Sequence, residues 1–202
     1  MKAGSPRGAQ TRRRIIETAA DLFHMKGVAA TSPDEIISVS RTGKGQFYYY
    51  FNNKIDLVHQ VLETHLEFIE VGKAPLKYDI ESWEELERWF LDHVELQKAF
   101  RMTRGCPFGT IGNGVTAEDE LIRLDLCRIF EAVKRKLAAF FTREKAQGRL
   151  AADADEEHLA DYCIAVVQGA MLMGKIKRSS QAAEASMREA FVHLRQFVRT
   201  GS

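Results

Sequence analysis

The chain is poor in cysteine and proline, has no long apolar run, and carries almost no net charge. Its three cysteines, Cys106, Cys127 and Cys163, are too few and too widely spaced for a disulfide framework or a zinc-ligand pattern. Reduced thiols in a cytosol are the corresponding default. Four prolines in 202 residues, with 45% hydrophobic residues, exclude a disordered composition. The longest uncharged apolar stretch, residues 162–174, falls short of the roughly 20 residues that cross a bilayer. Residues 1–6 lack the apolar run of a signal peptide. These absences predict a cytoplasmic protein with no membrane partner.

An enzyme is not predicted either. Gly43-Lys44-Gly45 lacks the spacing of a phosphate-binding loop, and Cys106 with His93 has no third group to orient a nucleophile and base. Asp153, Asp155, Glu156, Glu157 and His158 resemble metal ligands but read better as a helix start, where negative charge is favoured. No metal and no cofactor are predicted.

What charge there is has a direction. The formal net charge is +1, yet residues 1–60 hold nine lysines and arginines against five acids. A basic first third ahead of an acidic remainder fits a polyanionic partner for that third alone.

Helical periodicity dominates the whole chain, and no strand pattern occurs. Ile15, Ala19, Leu22 and Phe23 form one apolar stripe, closed by Gly27 as a left-handed cap. Ser32, Pro33 and Glu35 predict a capping box opening a short helix with Ile36, Ile37 and Val39. Arg41-Thr42-Gly43 breaks it, and residues 44–51 predict a second short helix. Asn53 caps a longer helix over 54–71. Long helices follow over 81–102, 117–147, 155–177 and 182–199, with a glycine-rich loop at 105–114. The fold class is all-α: a three-helix N-terminal domain over 1–53 and a larger helical domain over 54–202.

Two short helices joined by a brief glycine-containing turn are a helix-turn-helix signature. In the second, Lys44-Gly45-Gln46-Phe47-Tyr48-Tyr49-Tyr50-Phe51, the i, i+4 pair Phe47 and Phe51 goes inward. Tyr50 lies at the edge, and Lys44, Gln46, Tyr48 and Tyr49 point outward. Lysine and glutamine can read guanine and adenine edges, and tyrosine hydroxyls reach phosphates. Gly45 lets the backbone approach a groove, and Lys54 at the next helix N-terminus suits a phosphate.

Ala19, Leu22, Phe23, Gly27, Thr31, Ile36, Lys44 through Phe51, Lys54 and Leu57 together resemble the DNA-binding region of the tetracycline-repressor (TetR) family. Three departures stand out: Ile37 for a small residue, Arg41-Thr42-Gly43 for a Gly-Val-Ser turn, and Gln46 for a small hydroxyl residue. The resemblance implies that helix 44–50 enters the major groove of palindromic double-stranded operator DNA. It implies phosphate contacts from Thr31, Ser32, Tyr48, Tyr49 and Lys54. Thr42 and Tyr50 complete the expected DNA-facing set. It further implies a homodimer with a small-molecule effector site in the long C-terminal helices. For the effector, Phe90, His93, Phe100, Cys106, Phe108, Phe130 and Tyr162 are the expected apolar and aromatic lining. Cys106, in a Gly/Pro-rich junction, is also a candidate thiol for reaction with oxidants or electrophiles. For the dimer, Met187, Phe191, Leu194 and Val198 form a stripe on the last helix, and Met173 lies on the helix before it. The expected function is a ligand-responsive repressor. The rival readings are a helical small-molecule-binding protein and a non-specific architectural DNA binder.

Overall fold

The computed structural model describes residues 6–199; residues 1–5, which include most of the segment read for lack of an apolar leader, and 200–202 lie outside it. The described chain is helical, in the order α1 (Pro6–Lys26), α2 (Pro33–Val39), α3 (Lys44–Tyr50), α4 (Lys54–Glu70), α5 (Trp83–Ala99), α6 (Pro107–Gly112), α7 (Glu120–Ala146), α8 (Glu156–Lys177) and α9 (Gln181–Arg195). No strand occurs among the described residues beyond a single antiparallel bridge, Leu150 with Val198.

The chain divides into two compact units. Met1–His65 with Pro107–Cys127 makes the first, and Leu66–Cys106 with Arg128–Ser202 makes the second. Helices α4 and α7 each contribute residues to both.

In the first unit the α1 stripe of Ile15, Ala19, Leu22 and Phe23 is buried, and Ile36, Phe47, Phe51, Leu57, Val58, Val61 and Leu62 join the same core. Gly27 ends α1 at φ 82°, its N–H bonded to the Phe23 carbonyl. A short helix stands where the glycines of 105–114 predicted a loop. In α6, Pro107 occupies a first-turn position where its missing N–H costs nothing, and Phe108 and Ile111, three apart, are both buried. The helix packs on α1, so tertiary burial overrides the poor local propensity.

In the second unit α8 packs on α9 and α5 on both. Trp83, Phe140 and Phe141 form an edge-to-face aromatic cluster, with Trp83 and Phe140 centroids 5.2 Å apart. The Trp83 indole N–H donates to Glu144 at 2.8 Å. That buried carboxylate also accepts from Arg149, which holds its pKa below the usual value. Helix α9 stops at Arg195 rather than near 199, because the chain beyond it pairs with 149–151 through Ala151 N–H to Phe197 O at 2.8 Å. Helix α8 has the length and mean hydropathy of a membrane span, 1.3 over its best window. Its Leu159, Cys163, Val167, Ala170 and Met171 are nonetheless buried within the chain, the pattern of a core helix.

Candidate nucleic-acid interface

Helix α2 begins as its sequence dictates. Ser32 Oγ accepts from the Glu35 N–H at 3.2 Å, and Pro33 fills the first turn. The predicted box closes only halfway: the Glu35 carboxylate turns instead to Lys26 Nζ, at 2.6 and 2.7 Å, and ties α2 to the end of α1. The turn to α3 is tight. Ser40 and Thr42 hydroxyls lie 2.8 Å apart, Arg14 Nε donates to the Ser40 carbonyl at 2.8 Å, and Arg41 takes a left-handed conformation at φ 50°. Arginine thus sits in a backbone region where glycine is at ease.

Helix α3 is capped at Gly43, whose N–H donates to Gln46 Oε1 at 3.2 Å. Phe47 and Phe51 are fully buried, their rings 5.6 Å apart. The opposite side of the helix is open: Lys44, Gly45, Gln46, Tyr48 and Tyr49 are exposed, Tyr49 at 73%, and Tyr50 is half-buried. Tyr49 and Tyr50 meet edge to face at 5.0 Å. Lys44 Nζ lies 3.7 Å from the Asp34 carboxylate, a loose and solvated pair that leaves the ammonium available. The arrangement offers a cation, an amide and two phenols on the open side of the helix.

Two of the residues expected to hold phosphates have partners within the chain. Thr31 is buried, and its hydroxyl donates to the Gly27 carbonyl at 2.8 Å. Lys54 donates to the carbonyls of Val28 at 3.1 Å and Thr31 at 3.3 Å. Both side chains close the turn after α1. The N-terminus of α4 is also satisfied internally, since Asn53 Oδ1 accepts from the Asp56 N–H at 2.8 Å and Asp56 accepts from the Asn52 N–H at 2.9 Å. Ser32 is exposed, and Thr42 is half-buried in the turn. The basic run 12–14 lies at the surface of the unit but has partners within it: Arg12 bonds Gln60, Arg14 bonds the Ser40 carbonyl, and Arg13 pairs with Glu17.

The expected effector residues separate. Phe90, His93 and Cys106 are buried and Phe100, Phe130 and Tyr162 half-buried in the second unit, while Phe108 belongs to the first, edge-on to His65 at 5.4 Å. Burial pushes the His93 imidazole down to about 4. Tyr78 is buried near Cys106, and burial first, then that thiol, raises its hydroxyl pKa. A groove of 630 Å³ in the second unit is lined by Asp79, Glu81, Arg135, Lys136 and Arg143, none of them expected.

Part of the expected dimer stripe is covered by the chain's own core. Met187 and Leu194 are 0% exposed within the chain itself and cannot form an outer face. Phe191 and Val198 are half-buried, and Met173 is exposed. The exposed large apolar residues of these two helices are Leu172, Met173, Ile176 and Val192.

Sequence reasoning did not bring together one cluster whose residue types could hold a metal ion. His59 and Glu63, four apart on α4, and Asp125 on α7 bring ligand atoms within 4.8 Å of one another, with His59 Nδ1 2.7 Å from Asp125 Oδ2. The pair on α4 has a readable spacing, but its partner 66 residues away gives no sequence signal.

Two family models match the chain. Bacterial regulatory proteins, tetR family, covers residues 15–61, and the tetracyclin repressor-like C-terminal domain covers 84–190. Transcriptional regulator AcuR of Cereibacter sphaeroides is 28% identical over 182 residues, spanning 87% of this chain and 83% of that one. The HTH-type transcriptional repressor DhaR of a Mycobacterium species is 23% identical over 172 residues, spanning 84% and 85%. The crystal structure of a regulatory protein TetR from Rhodobacter sphaeroides superposes with a TM-score of 0.78 at 26% identity, over 90% of this chain and 97% of that chain.

Proposed function

The chain belongs to the TetR family of transcriptional regulators, and on that premise we propose that it is a homodimeric repressor, released from a palindromic operator by a small molecule. Residues 1–53 carry DNA recognition in this reading, and 54–202 carry effector binding and dimerisation. One observation supports it above the others: the open face of α3, with Lys44, Gln46, Tyr48 and Tyr49 exposed opposite the buried Phe47 and Phe51.

Lys44 and Gln46 supply the base-edge donors, Gly45 the close backbone approach, and the tyrosines the backbone contacts. Ser32, Thr42 and Tyr50 flank that face. One seven-residue helix gives too little interface for tight specific binding, and two copies about 34–36 Å apart meet successive major grooves. The effector acts by favouring a conformer with different spacing, a coupling of about 1–3 kcal/mol. Selection of duplexes from a random pool tests the proposal. Recovery of a two-half-site palindrome supports it; recovery without sequence preference favours the architectural alternative, and no recovery removes the DNA role.

A further inference from the structure

Trp89, His93 and Gln97 recur every fourth residue on α5, so their side chains leave the helix along one inclined stripe. All three are buried. Two polar atoms on this stripe, Trp89 Nε1 and Gln97 Oε1, have no hydrogen-bond partner among the described residues. Native interiors seldom leave such groups unmade, and each one that persists calls for an explanation.

Gln97 cannot resolve this by turning its amide over. Its Nε2 donates to the Met171 carbonyl at 3.3 Å, and reversal would set two oxygens face to face. His93 is held by Nδ1 at 2.7 Å from the Trp89 carbonyl, and its burial keeps the ring neutral at physiological pH. The stripe therefore offers an indole donor and an amide acceptor and carries no charge.

The backbone is shaped around that acceptor. A Cβ at Gly174 of α8 would sit 3.4 Å from Gln97 Oε1 and 2.7 Å from Met102 Cε, so the methionine reaches into a notch that glycine leaves. Met102 is delivered there by two consecutive left-handed residues, Arg101 at φ 52° and Met102 at φ 56°. These residues close the C-terminus of α5, with the Met102 N–H donating to the Gln97 carbonyl at 2.9 Å. An unbranched thioether is also the side chain that moves aside most easily.

We propose that the Trp89–His93–Gln97 face of α5 is the effector site, and that its ligand is an elongated, uncharged organic molecule with a polar group near each end. One end accepts from the Trp89 N–H; the other donates to Gln97 Oε1 in place of the Met102 methyl. Eight residues of helix set a span of about 12 Å. The inference rests on the ligand-responsive reading and names the chemistry of its site.

The test uses the full-length protein without DNA, followed by thermal melting and tryptophan fluorescence at neutral pH. The probes are octanediol with a hydroxyl at each end and suberate, the dicarboxylate of the same length. The diol raises Tm and perturbs the fluorescence; suberate does neither. Gln97→Met keeps the volume, removes the unpartnered oxygen, and leaves the ligand-free Tm at or above that of the parent. It weakens diol binding by about tenfold or more, and Trp89→Phe gives the same loss where Gln97→Met folds poorly. No response to the diol, an equal response to suberate, or an unchanged diol affinity in both variants overturns the assignment. Operator binding measured in parallel separates the cases: a protein that holds its operator yet ignores the diol refutes this site and leaves the regulator reading standing.

Discussion

The Lys54 ammonium lies 3.3 Å from the main-chain oxygen of Thr31, 23 residues earlier in the chain. With the Val28 carbonyl at 3.1 Å, it makes Lys54 the donor that closes the turn between α1 and α2. A residue of this kind steadies the platform on which α3 is displayed.

Lys54→Met therefore leaves two part-buried carbonyls without that donor, and we expect a loss of about 1–3 kcal/mol in the stability of the first unit. Urea denaturation checks this. An unchanged midpoint, with DNA affinity alone reduced, would return Lys54 to the role of a phosphate contact.

Arg41 holds φ at 50° in the turn before α3. A left-handed non-glycine residue costs about 1–2 kcal/mol, and glycine gives back about 0.5–1 in unfolded-chain entropy. Arg41→Gly is expected to raise stability by about 0.5–1 kcal/mol, read as a higher Tm. A lower Tm would show that the arginine side chain makes up more than the strain.

His93 sets an acid limit on the second unit. Its folded pKa is about 4, against a usual value of 6.5, because burial disfavours the charged ring. The unfolded chain binds the proton first. The stabilisation is complete above pH 6.5 and is lost as pH falls from 6.5 toward 4, by about 3 kcal/mol. His93→Gln should flatten the stability profile across that window. Glu144, whose pKa is lowered chiefly by its hydrogen bond to Arg149, adds a separate loss only below its usual 4.5.

Ile176, 66% exposed, and Val192, 56%, stand out on α8 and α9 beside Leu172 and Met173. If two chains meet through these helices, Ile176→Glu buries a charge and weakens the dimer by about tenfold or more. Sedimentation equilibrium reads the result directly, and a dimer of unaltered strength moves the interface elsewhere.

Local pattern carried α3. The i, i+4 pair Phe47 and Phe51 fixes which side of α3 is buried, and the exposure of Lys44 and Tyr49 follows from that alone. The Asn53 cap and the glycine stop at Gly27 were legible for the same reason, since each acts within a few residues. What escaped depends on distant chain. Lys54 and Thr31 carry the residue types of phosphate ligands, but their partners are carbonyls that no spacing rule announces. The stripe through Met187 and Leu194 was apolar on the correct period, yet periodicity cannot say whether a chain's own core or a second copy covers it. The unpartnered atoms of Trp89 and Gln97 exist only once the surrounding helices are in place.

The central claim is that the outward face of α3 reads DNA. It is tested most directly by the ratio of specific to non-specific affinity, at fixed salt, for a duplex selected by the parent protein. Lys44→Ala combined with Tyr48→Ala, both at exposed positions that leave the core intact, is predicted to lower that ratio by about tenfold through the lost Lys44 base contact, and to weaken all binding through the lost Tyr48 backbone contact. A double variant that keeps its preference for the selected duplex contradicts the account.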